Sequence, residues 1–116
     1  MKTKIKMDIK KGRGVYADEL IIARKKIEIC QLIIMKYDDV AGVLERYVFE
    51  FNKKNVAVAL GNGSLYNHSD EPNAQFFFDY QKKLLIFESL QTIKKGQEIT
   101  VDYRYDIEDR KRFDIK

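Results

Sequence analysis

The side chains best placed to do chemistry in this 116-residue chain lie in one stretch, Leu65-Tyr66-Asn67-His68-Ser69-Asp70-Glu71-Pro72-Asn73. It holds the only histidine and the only proline of the protein. Asn, Ser and Asp capture nearby backbone N–H and C=O groups, while proline fixes φ and removes a donor. The stretch therefore predicts an ordered, irregular crossing between two apolar runs, 55–60 and 74–80. Polar groups in such a crossing often line a site.

Three further places carry candidate groups. Gly12-Arg13-Gly14 permits positive φ or a close approach of backbone to a ligand, although Gly-x-Gly serves ordinary turns equally well. In 44–51, Tyr47, Phe49 and Phe51 share a face; the two phenylalanines read as core, and Tyr47 is either core or a ring lining a pocket. Near the end, 98–105 sets Ile99, Val101, Tyr103 and Tyr105 along one face. The acidic residues Asp70, Glu71, Asp102, Asp106, Glu108 and Asp109 sit around the two later motifs. They read either as solvated charge or as a preference for a basic peptide.

Composition removes several classes. A single cysteine, Cys30, excludes an internal disulfide and a zinc site built from several thiolates, and it suits a reducing compartment. No apolar run approaches the ~20 residues needed to span a bilayer. Met1-Lys2-Thr3-Lys4-Ile5-Lys6 has no apolar stretch after it, so it is not a secretory signal. A soluble intracellular protein is expected, with cytoplasm and nucleus both open. The net charge of +4 comes from 22 basic residues interspersed with 18 acidic ones, which favours a mixed-charge surface over a phosphate-tracking groove.

The elements that must position these residues are mostly strands. Residues 3–9 alternate Thr3, Ile5, Met7 and Ile9 against Lys4, Lys6 and Asp8, the period of a half-buried strand. A turn is expected at Lys11-Gly12-Arg13-Gly14, with extended chain resuming at Val15-Tyr16-Ala17. Runs 20–22 and 26–35 are rich in Ile and Leu and read as strands. Strands are also expected over 44–51, 55–60 and 98–105, and a hairpin over 75–80 and 84–88 around Gln81-Lys82-Lys83. Residues 106–116 read as a short helix or loose tail. One mainly β domain follows, with several small sheets round one core, and nothing suggests a doubly wound nucleotide fold.

Gly12-Arg13-Gly14-Val15-Tyr16-Ala17, then Tyr66-Asn67-His68-Ser69 with Pro72-Asn73, then Gly96-Gln97-Glu98-Ile99-Thr100-Val101-Asp102-Tyr103 together resemble the SET domain of protein-lysine methyltransferases. The resemblance spans about residues 10–105 and is nearest to the minimal viral and bacterial versions without flanking zinc segments. It implies a SET β-fold in which the C-terminal segment threads under a loop as a pseudoknot. It also implies transfer of methyl from S-adenosylmethionine to lysine, with S-adenosylhomocysteine as product and no metal. By position, Gly12, Arg13, Gly14, Tyr16, Asn67 and His68 match the cofactor-binding set, and Tyr103 matches the tyrosine at the methyl-transfer centre. Tyr47, Val101 and Tyr105 fall to the substrate channel, with the small Val101 leaving room for more than one methyl.

The histone-methylating members carry a Cys after Asn-His-Ser that joins a C-terminal zinc segment, whereas this chain has Asp70 and no cysteine after Cys30. Residues 106–116, or a second copy in a homodimer, would then close the channel. The resemblance implies a lysine-bearing protein as partner, a histone tail or other basic arm. The alternatives are a non-catalytic SET-like module that binds a protein, and a basic nucleic-acid-binding β-domain.

Overall fold

In the computed structural model, residues 2–10 and 12–103 are described. Among them nine strands form three sheets: β1 Thr3–Asp8, β2 Gly12–Ala17, β3 Lys26–Lys36, β4 Val48–Glu50, β5 Asn55–Ala59, β6 Asn67–His68, β7 Ala74–Asp79, β8 Leu84–Ser89 and β9 Thr100–Val101. β1 and β2 form an antiparallel pair, five strands follow in the order β4-β5-β3-β8-β7, and β6 pairs with β9. The expected mainly β fold of several small sheets is what the chain forms. No helix among the described residues is long and apolar enough to cross a membrane.

Residues 3–8 form β1, in register with β2 from Thr3 opposite Ala17 to Asp8 opposite Gly12, but the half-buried face expected there is corrected, since only Thr3 is buried and Ile5, Met7 and Ile9 are exposed. That register corrects the expected turn, because Gly12-Arg13-Gly14 lies inside a strand and the chain reverses before it. Gly12 still needs its glycine, with φ at +79°. Residues 20–22 yield only an isolated bridge, Ile21 to Ile93, where both side chains are buried. The hairpin expected around Gln81-Lys82-Lys83 forms from β7 and β8.

Two other expectations need correction. Leu44 lies in a 3₁₀ helix, Gly42–Arg46, and the strand begins only at Val48, which leaves Tyr47 at the junction. The run 98–105 supplies a strand of two residues among those described, because its partner β6 is itself only two residues long. Tyr105 and the segment 106–116 lie outside the described residues.

The core gathers residues from every sheet. Val15, Leu85, Phe87, Ile93, Ile99 and Val101 are fully enclosed. Burial of apolar area on this scale is the main force that holds such short strands in place.

The late segment is held on two sides. Ile99 N–H donates to the Val15 carbonyl at 2.8 Å and Ala17 N–H to the Gln97 carbonyl at 2.9 Å. On the other side, Asn73 Nδ2 donates to the Glu98 carbonyl at 2.8 Å while its Oδ1 accepts Thr100 N–H at 2.9 Å. β9 thus runs between β2 and the loop 69–73, parallel to β6, as the expected pseudoknot requires.

Candidate active site

The polar stretch 65–73 and the end of β9 meet beside a cleft of about 790 Å³, within the range of small-molecule sites. Gly12, Arg13, Tyr47, Asn67, His68 and Tyr103 line it, joined by Tyr66 and Phe49. Six of the ten residues expected in the site are therefore brought to one wall.

His68 ties the two segments together. Its Nδ1 accepts the backbone N–H of Tyr103 at 3.0 Å, and its Nε2 lies 3.0 Å from Asp70 Oδ1. An acceptor at Nδ1 requires the proton on Nε2, so the backbone of Tyr103 selects the tautomer. Asp102 Oδ1 stands 3.6 Å from the same Nδ1.

Tyr103 is held at both ends. Its hydroxyl donates to the Tyr66 carbonyl in a short hydrogen bond. Its ring packs against Phe49 at 5.9 Å and Phe76 at 5.8 Å between centroids. Burial pushes its phenol up to about 12, so the hydroxyl stays protonated at neutral pH. The phenolic proton is committed to the carbonyl, which leaves the oxygen lone pairs as acceptors.

Asn67 Nδ2 donates to the Arg13 carbonyl at 3.0 Å and to Glu98 Oε2 at 2.7 Å, which joins β2, β6 and the approach to β9. Both amide hydrogens are used, so Oδ1 is the part of the side chain that can meet a ligand donor. Gly14 makes this junction feasible: a Cβ there would stand 2.6 Å from Glu98 Oε2 and 3.0 Å from Asn67 Nδ2. Gly12 differs, since nothing lies within 4 Å of where its Cβ would be, and its backbone faces open space at the cleft.

The other expected residues are placed elsewhere. Val101 is fully buried and belongs to the hydrophobic core, and it does not line the cleft. Its neighbour across the parallel pair, His68, takes the exposed edge instead. Gly14 and Tyr16 also stand away from the lining; Tyr16 carries the Lys6 ammonium 5.0 Å above its ring and bridges to Glu98. Tyr47 does line the cleft, fixed by its N–H to the Leu44 carbonyl and by Ser64 Oγ, which donates to the Tyr47 carbonyl at 3.1 Å.

Sequence reasoning missed Tyr66 and Glu28. Tyr66 is 2% exposed, its ring stacks on Phe87 at 4.2 Å, and its hydroxyl donates to Glu28 Oε1 at 2.7 Å. The available signal was a carboxylate in the apolar run Ile27-Glu28-Ile29-Cys30, since an acid within a strand of that kind usually has a partner. Phe49 and Phe51 are buried as expected, and Phe49 forms the bed of the Tyr103 ring together with Phe76. Among the described residues no group of three or more His, Cys, Asp or Glu could hold a metal ion.

An open glycine backbone, an amide acceptor, an imidazole and Arg13 edge one cleft, a donor and acceptor set that a polar nucleoside-linked cofactor could use. Comparison with known proteins agrees with this geometry. The SET-domain profile matches residues 12–104, and the chain belongs to the SET-domain family. It is 30% identical to the H3 lysine-37-specific histone-lysine N-methyltransferase of Schizosaccharomyces pombe, over 81% of this chain and 67% of that protein. Other histone-lysine methyltransferases that match are much longer, and the chain spans 8% or less of them. The crystal structure of Plasmodium falciparum PFL0690c superposes with a TM-score of 0.76 at 31% identity, covering 88% of this chain and 92% of that one. KRYPTONITE, solved with mCHG DNA and S-adenosylhomocysteine, shares the fold with a TM-score of 0.69 at 23% identity, covering 87% of this chain and 23% of its own.

Proposed function

We propose that this chain is an S-adenosylmethionine-dependent protein-lysine N-methyltransferase acting on a lysine in a basic protein tail, with a histone tail as the leading candidate. The observation that carries the reading is the double anchoring of Tyr103, through His68 Nδ1 and the Tyr66 carbonyl, in the wall that also holds Gly12, Arg13 and Asn67. When bound, the cofactor supplies a methyl group on a sulfonium for in-line transfer to an amine.

Everything else falls to the protein. Gly12, Arg13, Asn67 and His68 would hold the cofactor. The lysine must be neutral to attack, although in water its pKa is about 10.4. Entry of its ammonium into a partly apolar cleft against Phe49, Tyr66 and Tyr103 disfavours the charged form and releases the proton to solvent. The Tyr103 oxygen, with its own proton engaged, then accepts an amine N–H and turns the nitrogen lone pair toward the methyl. Holding two reactants in line can supply ~7–11 kcal/mol of the barrier.

The acidic residues Glu45 and Glu50 line the same cleft, and Glu50 accepts from the Tyr37 hydroxyl at 2.8 Å. Arg13 and Arg46 line it as well, so the acidic pair stands beside two cations.

The deciding experiment incubates purified protein with labelled S-adenosylmethionine and histone-tail peptides, alongside Tyr103→Phe. Turnover by the wild type, cut about a hundredfold or more in the variant while calorimetric cofactor affinity stays within threefold, is the expected result. A wild-type protein that binds no cofactor would remove the reading.

A further inference from the structure

We infer that Glu28 and Tyr66 act as positioning residues for methyl transfer, by setting the carbonyl that receives the Tyr103 hydroxyl. The inference rests on the proposed reading of the cleft as a methyltransferase site.

The geometry starts from one carboxylate on β3. Glu28 Oε1 accepts the Tyr66 hydroxyl at 2.7 Å, and Oε2 accepts the Asn62 backbone N–H at 2.9 Å. A single side chain thus holds both ends of the segment 62–66, which leads directly into Asn67 and His68. Approach is close enough that a Cβ on Gly61 would stand 2.5 Å from Oε2. The Tyr66 ring is stacked on the fully buried Phe87 at 4.2 Å, which sets its plane, while the bond to Glu28 sets where its far end lies. Its carbonyl, on the same residue, is the acceptor for Tyr103.

The consequence is chemical. A phenol has one proton to give. If the Tyr66 carbonyl swings away, the Tyr103 hydroxyl is free to rotate and to donate into the cleft, where it would compete for the amine lone pair that must attack the methyl. Fixing the carbonyl keeps Tyr103 an acceptor toward the amine. Burial and then the Glu28 charge push the Tyr66 phenol upward, so this link stays protonated throughout the working range.

The test uses the full chain and rates normalised to cofactor-binding sites titrated by calorimetry, so that a misfolded fraction does not count. Tyr66→Phe keeps the ring and removes the hydroxyl; kcat should fall about tenfold, with peptide KM and cofactor affinity within twofold of wild type. Glu28→Gln reads the same link from its other end, because the amide has one acceptor for the two donors that Oε1 and Oε2 now meet. Either the Asn62 N–H loses its acceptor or the Tyr66 hydroxyl must give up its donation, and kcat should fall by about three- to tenfold. The double variant should be no slower than the slower single one, since both changes break one chain of contacts.

Wild-type kcat in Tyr66→Phe would overturn the inference while leaving the methyltransferase reading intact, as would multiplicative losses in the double variant. A wild-type chain that neither binds S-adenosylmethionine nor methylates lysine would overturn the reading itself. Should Tyr66→Phe fail to fold, the kcat-to-KM split in Glu28→Gln decides: loss in kcat alone supports positioning, and loss in KM or cofactor affinity alone opposes it.

Discussion

The imidazole Nδ1 of His68 accepts the backbone N–H of Tyr103 at 3.0 Å, across 35 residues of sequence. One side chain therefore ties the polar crossing 65–73 to the tyrosine at the cleft. Nitrogen-15 NMR of the ring should show the proton on Nε2, facing Asp70. His68→Ala, which strands that N–H, should lower stability by about 1–3 kcal/mol in urea unfolding. A ring protonated at Nδ1 in the neutral form would contradict the geometry.

High pH should act on stability before it acts on Tyr103. Burial raises the Cys30 thiol from 9.0 to about 12 and the Tyr103 phenol from 10.0 to about 12, and it moves Tyr66 up as well. Below pH 9 the folded and unfolded chains hold these protons equally. From pH 9 to 12 only the unfolded chain releases them, so the contribution present at neutral pH is progressively lost. Urea midpoints should decline over that interval, and less steeply in Tyr66→Phe. Turnover should instead rise with pH up to about 10 as the lysine loses its proton, with no downturn near the ordinary phenol value.

The two glycines of β2 should respond differently to alanine. Gly14→Ala puts a methyl 2.6 Å from Glu98 Oε2 and should break the junction to Asn67, costing about 1–3 kcal/mol and weakening cofactor binding about tenfold. Gly12→Ala meets no atom but must hold φ at +79°, a backbone penalty of about 1–2 kcal/mol. Thermal melts and calorimetry on both variants separate a steric effect at the site from a conformational one.

Asn73 clamps the late segment with both ends of its amide. Asn73→Ala removes two hydrogen bonds to backbone and should destabilise the fold by about 2–3 kcal/mol. Hydrogen exchange at Thr100 should accelerate more than at Ile86 on β8, because the loss is local to the threaded segment. Uniform acceleration would mean that the clamp does not act locally.

The strands of the large sheet were legible because the runs 26–35, 55–60, 75–80 and 84–88 are rich in β-branched, aliphatic and aromatic residues, a property each strand carries alone. Which face is buried was not, since in 55–60 the small Ala57 and Ala59 are enclosed while Leu60 is exposed. Gly12, Asn67, His68 and Tyr103 were legible because their motifs stand in order along the chain. Tertiary structure alone decided the rest. The resemblance gives Val101 a place by the substrate channel, but only the folded chain shows that it is fully enclosed, opposite His68 in the parallel pair of β9 with β6. Glu28 lies 38 residues from Tyr66, and no local pattern announces that a strand acid will hold the loop before Asn67. Residue type and periodicity are written locally, whereas which carbonyl meets which hydroxyl depends on how distant strands are threaded together.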